Sequence, residues 1–325
     1  MLWTVVFLFV GFAVLIKGAD FLVNGSSSLA KKMNVSNLAI GLTVVAFGTS
    51  TPELIVSSLA AIDGKSDASF GNVIGSNNFN LLLILGVAGL IYPLTVQRST
   101  VKYEVPMSII AALLLFVLVN DVILWNASVS DPKIGGTLSR LDASILLVFF
   151  FGFLFYIFRT MKNNSDLDQD DVKIYATWLS IVFVVAGLAM LIGGGKLVVD
   201  NAIEIAQHFG MSEKLIGLTI LAAGTSLPEL VTSCVAAYRK NTDIAIGNVI
   251  GSNIFNIFFI LGITGMISPM NYSLAMNFDM QILLISTVVL MIFMFTINTR
   301  KLDRWEAMIL LLGYITYTLY LIQID

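Results

Sequence analysis

Long apolar blocks alternate with short polar breaks along the whole chain. Ten blocks stand out, at roughly 3–23, 37–61, 69–92, 103–125, 140–160, 174–199, 213–237, 244–268, 278–298 and 305–323. Each is near the ~20 residues that a helix needs to cross a hydrocarbon layer. The pattern predicts an all-α polytopic membrane protein with ten transmembrane helices. With both termini outside, twelve basic residues fall in the inner loops: Lys31, Lys32, Arg98, Lys102, Arg159, Lys162, Lys173, Arg239, Lys240, Arg300, Lys301 and Arg304. Four (Lys65, Lys133, Arg140, Lys214) fall outside. Positive charge in short loops stays inside, so both termini are expected on the extracytoplasmic side, most simply of the cell membrane.

A second regularity lies beneath the first. Shifted by 176 residues, segment 11–93 aligns on 187–269 without a gap. "GTSTPEL" at 48–54 returns as "GTSLPEL" at 224–230, and "GNVIGSNNFN" at 71–80 as "GNVIGSNIFN" at 247–256. An odd number of spans separates the copies, so they should lie upside down relative to each other. The loop charges agree: Lys31-Lys32 becomes Gln207-His208, and Gly64-Lys65 becomes Lys240-Asn241. The expected organisation is an N-terminal five-helix repeat at 1–160, a short acidic cytoplasmic linker at 161–173 and an inverted five-helix repeat at 174–325. Inverted repeats with interrupted helices at matching places mark secondary transporters with a site near the bilayer midplane.

Composition narrows the classes. Of 325 residues, 57% are hydrophobic and 12% charged, far too apolar for a soluble domain. A net charge of −3 gives no reason to expect a nucleic-acid partner. The single cysteine, Cys234, excludes an internal disulfide.

The chemistry sits in the repeated motifs. Pro52 and Pro228 lack an N–H, which predicts broken helices whose free carbonyls and hydroxyls face a cavity. Each proline is also expected to push its predecessor, Thr51 or Leu227, out of helical angles. Glu53 and Glu229 follow in the first turn of the resuming helix, where the helix dipole favours an anion. Ser76 and Asn80, four apart, share a helix face, as do Ser252 and Asn256. Breaks are therefore expected in spans two, three, seven and eight, around one midplane ion site. Everything in this set is an oxygen donor, which suits Ca²⁺ and other hard cations rather than zinc or copper. Two carboxylates would be neutralised by one Ca²⁺ or two Na⁺. An empty site would leave both charges buried at high cost, which is the behaviour of an exchanger.

Together, GTS-x-PE and GN-x-x-GSN-x-x-N, each present twice, resemble the α-repeats of the sodium/calcium exchangers, in the cation/Ca²⁺ exchanger superfamily. The resemblance implies Glu53 and Glu229 as central ligands shared by Ca²⁺ and Na⁺, with the Thr49 and Thr225 backbones completing the Ca²⁺ site. It implies one flanking Na⁺ site from Ala46, Ser50 and Ser76, another from Ala222, Ser226 and Ser252, and Asn80 and Asn256 lining the middle. It also implies a third Na⁺ and hence net charge movement. Some relatives, including potassium-dependent exchangers, carry aspartate where this chain has Asn256, which argues against K⁺ co-transport. The short linker leaves no room for a large Ca²⁺-sensing domain, so the compact prokaryotic-type form is expected.

The expected function is thus an electrogenic Na⁺/Ca²⁺ antiporter working by alternating access, with spans one and six sliding across a fixed core. It is not expected to be an enzyme or to carry a cofactor. Its partners are the two ions and membrane lipid, with no obligate protein partner, so a monomer suffices. A H⁺/Ca²⁺ antiporter on the same fold is the alternative, and a scaffold that binds Ca²⁺ without carrying it is another. "SDLDQDD" at 165–171 lacks the glycine and final glutamate of an EF-hand and reads as a solvated acidic loop. Asp20, Asp200, Lys17 and Lys196, near the ends of spans one and six, read as snorkelling anchors or local ion pairs.

Overall fold

The first apolar block forms a helix, α1 (Leu2–Met33), that is longer than the block itself. In the computed structural model, which describes residues 2–125, 132–160, 173–210, 222–296 and 299–324, ten further helices of the bundle follow. They are α2 (Asn37–Thr49), α3 (Thr51–Ile62), α4 (Ser66–Ile91), α5 (Thr100–Val119) and α6 (Arg140–Thr160). The second set is α7 (Thr177–His208), α8 (Leu227–Tyr238), α9 (Thr242–Ile267), α10 (Leu274–Phe293) and α11 (Arg304–Gln323). Among the described residues, eight helices are long and apolar enough to cross a membrane, or nine if α2 and α3 count as one bent span. The first part of the expected seventh span, the acidic loop and most of the linker lie outside the described residues.

The expected interruption of the second span is present, one residue earlier than the proline rule suggests. α2 and α3 meet at 46° around Ser50 (φ −81°, ψ 6°). Ser226 (φ −89°, ψ 5°) holds the same place before α8. Thr51 and Leu227, expected to leave helical angles, instead begin the new helices, and each proline stands in the first turn. First-turn N–H groups have no intrahelical partner in any case, so proline is harmless there.

The third and eighth spans depart further from expectation. α4 and α9 are unbroken over 26 residues each. Neither contains a proline, and glycine alone removes no hydrogen-bond donor. Each instead widens into π-helical turns, over Phe79–Ile84 and Phe255–Leu261, just past the repeated GSN motifs.

α9 is the innermost helix, with 94% of its most apolar stretch buried, against 72% for α4 and 17% for α11. Backbone contact between α2 and α9 is permitted by a glycine on each side. A Cβ added at Gly41 would lie 3.2 Å from the Gly247 Cα, and one at Gly247 would lie 3.1 Å from the Gly41 Cα. α1 and α7, both 32 residues long, cross in the same way: a Cβ on Gly187 would stand 2.7 Å from the Gly18 carbonyl oxygen. Small residues at such crossings are how helices approach closely in lipid.

Two short antiparallel strand pairs, absent from the expected all-helical pattern, tie the ends of the bundle. β1 (Leu94–Thr95) pairs with β4 (Lys301–Leu302), with Leu94 opposite Leu302. β2 (Ile134–Leu138) pairs with β3 (Met270–Ser273).

Candidate functional site

Glu53 and Glu229 open α3 and α8 and point into the protein, where they are 0% and 1% exposed. Their neighbours come from the opposite half as well as their own. Ser226 Oγ donates to Glu53 Oε1 at 3.0 Å, and Ser50 Oγ donates to Glu229 Oε1 at 2.9 Å. Ser76 Oγ and Ser252 Oγ lie 3.5 Å from Glu53 Oε1 and Glu229 Oε1 respectively, and Ser76 Oγ is 3.0 Å from Ser226 Oγ. The hydroxyls therefore group across the halves, Ser76 with Ser226 and Ser50 with Glu229. Among the described residues, Ser50 and Ser76 are not bonded to each other within their half, nor are Ser226 and Ser252, the serines that the resemblance grouped with Ala46 and with Ala222. Ser50, just before α3, and Ser226, just before α8, each face the carboxylate of the partner half.

Behind each carboxylate stands an asparagine. Asn72 Nδ2 donates to Ser57 Oγ (2.9 Å) and to the Glu53 carbonyl (3.3 Å). Asn248 Nδ2 does the same to Ser233 Oγ (3.0 Å) and the Glu229 carbonyl (3.3 Å). Their Oδ1 atoms reach across, accepting from Thr225 Oγ1 (3.3 Å) and Thr49 Oγ1 (3.0 Å) respectively. Between α4 and α9, Asn77 Nδ2 donates to the Asn253 carbonyl at 3.2 Å and Asn253 Nδ2 to the Asn77 carbonyl at 3.3 Å. Asn80 Nδ2 then donates to Asn253 Oδ1 (3.0 Å), and Asn256 Nδ2 to Asn77 Oδ1 (2.9 Å). Every bond in this asparagine network reappears when both its numbers are moved by 176, with the halves exchanged.

Four buried acceptors in the centre are left without a donor: Glu53 Oε2, Glu229 Oε2, Asn80 Oδ1 and Asn256 Oδ1. Buried carboxylate and amide oxygens are costly when unpartnered. None of the ion pairs between described residues reaches either glutamate. Among the described residues no group of three or more His, Cys, Asp or Glu gathers. The centre is thus two carboxylates supplemented by neutral oxygens, a donor set for a hard cation.

The structure brings Thr49, Ser50, Glu53, Ser76 and Asn80 together with Thr225, Ser226, Glu229, Ser252 and Asn256. Ala46 lies on α2 against α9, where a Cβ on Gly251 would meet its Cβ at 2.8 Å. Ala222 starts the short helical turn Ala222–Gly224 before α8. Sequence reasoning missed Ser57, Ser233, Asn72, Asn248, Asn77 and Asn253. All are identical in the two copies, and a polar residue kept at the same place in both copies of an apolar block was the available signal.

A buried, oxygen-lined centre enclosed by two copies of one helical motif, in a chain of membrane-crossing helices, fits a membrane carrier. The sequence profile described as "Sodium/calcium exchanger protein" matches residues 3–159 and 179–323. The chain is 31% identical over 344 aligned positions to the sodium/calcium exchanger MaX1 of Methanosarcina acetivorans, covering 98% of each protein. It is 34% identical to the inner membrane protein YrbG of Escherichia coli, over 89% of this chain and 88% of that one. Its fold is similar to the solved structure of the sodium-calcium exchanger NCX_Mj, with a TM-score of 0.80, 32% identity and 97% of each chain covered. The chain belongs to the sodium/calcium exchanger family of membrane antiporters.

Proposed function

We propose that this protein exchanges Na⁺ for Ca²⁺ across a cell membrane by alternating access, and that the exchange is electrogenic. The observation that carries this reading is the set of four donorless acceptors, Glu53 Oε2, Glu229 Oε2, Asn80 Oδ1 and Asn256 Oδ1, converging from both halves. Their combined charge of −2 matches one Ca²⁺. The hydroxyls of Ser50, Ser76, Ser226 and Ser252 flank the carboxylates and supply further oxygens for Na⁺, with the Thr49, Thr225, Ala46 and Ala222 backbones beside them. If Na⁺ loads beyond neutrality, each cycle moves net charge, worth about 2.3 kcal/mol per elementary charge per 100 mV.

The architecture that goes with this reading is ten spans in two inverted sets, 1–160 and 174–325, joined by a cytoplasmic linker at 161–173. Both termini face outside, in agreement with the loop charges, and YrbG's description as an inner membrane protein supports the location. α1 and α7, packed face to face through glycines, are the elements that slide across the fixed core of α2, α3, α4, α8 and α9. No resident cofactor takes part.

The test is ⁴⁵Ca²⁺ uptake into Na⁺-loaded proteoliposomes with choline outside, for the unmodified chain and Glu53→Gln. Uptake that needs internal Na⁺, responds to membrane potential and is lost in the variant is expected. Uptake that ignores Na⁺ and follows a pH gradient would assign proton coupling instead. Ca²⁺ binding with no flux under either gradient would leave a scaffold.

A further inference from the structure

Away from the centre, at the end of the bundle that carries Lys31, Lys32, Arg98 and Arg159, lies another buried carboxylate, outside the segment 11–93 that aligns on the second copy. Glu104, in the first turns of α5, is 2% exposed. Its Oε1 accepts a 2.6 Å hydrogen bond from Tyr156 of α6. Its Oε2 is buried and has no hydrogen-bond partner, and none of the ion pairs between described residues includes it. Glu104 lines a cavity of about 10 Å³ with Ser36, Ser99 and Thr160, roughly the room one water-sized sphere occupies.

The cavity wall is otherwise oxygen and hydrocarbon. Ser99 Oγ has no partner. Thr160 Oγ1 gives its hydrogen to the Tyr156 carbonyl (2.9 Å), leaving its lone pairs for a ligand. Ser36 caps α2 by accepting from the Ala39 N–H (3.1 Å). Two basic side chains nearby are turned elsewhere: Lys102 lies over the Tyr103 ring at 5.1 Å and Arg159 over Phe155 at 5.9 Å. Asp243 is held by Gln97 at 2.6 Å. The other half contains a contrasting carboxylate. Asp279 of α10 accepts from Tyr317 of α11 at 2.6 Å, but it is only half-buried and neither of its oxygens is a buried atom without a partner.

We propose that Glu104 Oε2, with the Ser99, Thr160 and Ser36 hydroxyl oxygens, forms an accessory site for one dehydrated monovalent cation of Na⁺ size. A single carboxylate balances a single positive charge, and an all-oxygen wall suits a hard ion. A water could fill the same space but would leave the charge of a buried carboxylate uncompensated, which is expensive. The cavity is also lined by Ala39 and Leu42 of α2, the helix that carries Ala46 and Thr49 toward the centre. An ion here therefore joins the start of α2 to α5 and α6.

The test uses the full chain in lipid, with Glu53→Gln and Glu229→Gln removing the central carboxylates, so the outcome does not depend on the exchange reading. Infrared difference spectra are recorded as choline is replaced by Na⁺. A sodium-induced carboxylate signal that is lost on adding Glu104→Gln is expected. No such signal, or one that survives Glu104→Gln, overturns the assignment, and so does a protonated-carboxyl band from Glu104 that ignores Na⁺. If the triple variant is not monodisperse, crystals of the unmodified chain grown in sodium and in choline chloride decide. Density bonded to Glu104 Oε2 in the sodium form alone supports the site, and density in both forms or in neither overturns it.

Discussion

Moved by 176 positions, the polar contacts around Glu53 fall on those around Glu229 in all but one case, the 3.0 Å Ser226–Ser76 bond, which has no Ser50–Ser252 counterpart, whereas the contacts at the helix ends do not. At the centre, Ser226–Glu53 becomes Ser50–Glu229, and Asn80–Asn253 becomes Asn256–Asn77. At the ends, Arg239 at the close of α8 bonds both Asp20 and Asn24 of α1. The corresponding positions hold Asp63, Lys196 and Asp200, a pair with its charges exchanged. Asp63 is exposed and lies 3.9 Å from Lys65 instead. Under the proposed function, the centre is duplicated because both halves offer the same chemistry to an ion at a shared site. In the proposed inverted arrangement the ends differ because one faces each side of the membrane, and positive charge stays inside.

The strongest way to break this comparison is to remove one central carboxylate at a time. Glu53→Gln and Glu229→Gln should each abolish exchange, since losing one partner of a buried charged set costs about 3–5 kcal/mol, roughly two to three orders of magnitude in ion affinity. Flux assays on both variants check it. A large difference between them would mean that the duplicated geometry hides unequal roles.

A smaller effect is expected at the asparagine bridge. Asn77→Ala and Asn253→Ala each strand a buried amide, at about 1–3 kcal/mol, and should lower thermal stability in lipid by equal amounts. Calorimetry or a thermal-shift series on the purified variants reads this directly. Ser50→Ala and Ser226→Ala come next. Each removes one hydroxyl bonded to a carboxylate, so Na⁺ affinity should fall by roughly tenfold, in line with the ~1.5 kcal/mol of a hydrogen bond to a charged group. Sodium titrations of exchange measure that, and unequal losses would sharpen which flank holds the tighter ion.

The ends should give the smallest effects, and unequal ones. Arg239→Gln removes a partly exposed ion pair, worth up to about 1 kcal/mol. It should free α1 from α8 and raise solvent access at the Arg239 end by a few-fold, read by labelling an introduced cysteine there in a Cys234→Ala background. Asp63→Asn, at an exposed pair, should change little in the same assay.

Much of this is legible in the order of residues. Period 2 and period 3.6 never compete in blocks of ~20 apolar residues, because only a helix satisfies its own backbone in lipid. The 176-residue repeat exposes Glu53, Glu229 and the flanking serines as one set. The bend falls one residue away from its expected place, since a proline in a first turn does not disturb the helix it begins. Breaks expected in α4 and α9 do not occur, since glycine loosens a helix without removing a donor. Strands as short as Leu94–Thr95 leave no periodic trace at all.

Amino-acid order alone thus determined the helical class, the duplication, and the identity of most of the buried oxygens, because each follows from local hydrophobicity or from matching one copy against the other. Only the tertiary structure decided who meets whom. It set Ser226 rather than Ser50 against Glu53, locked Asn77 to Asn253, and enclosed Glu104 with Ser99 and Thr160. Such pairings depend on how the helices of the two halves cross in space, and no spacing within a single segment encodes that.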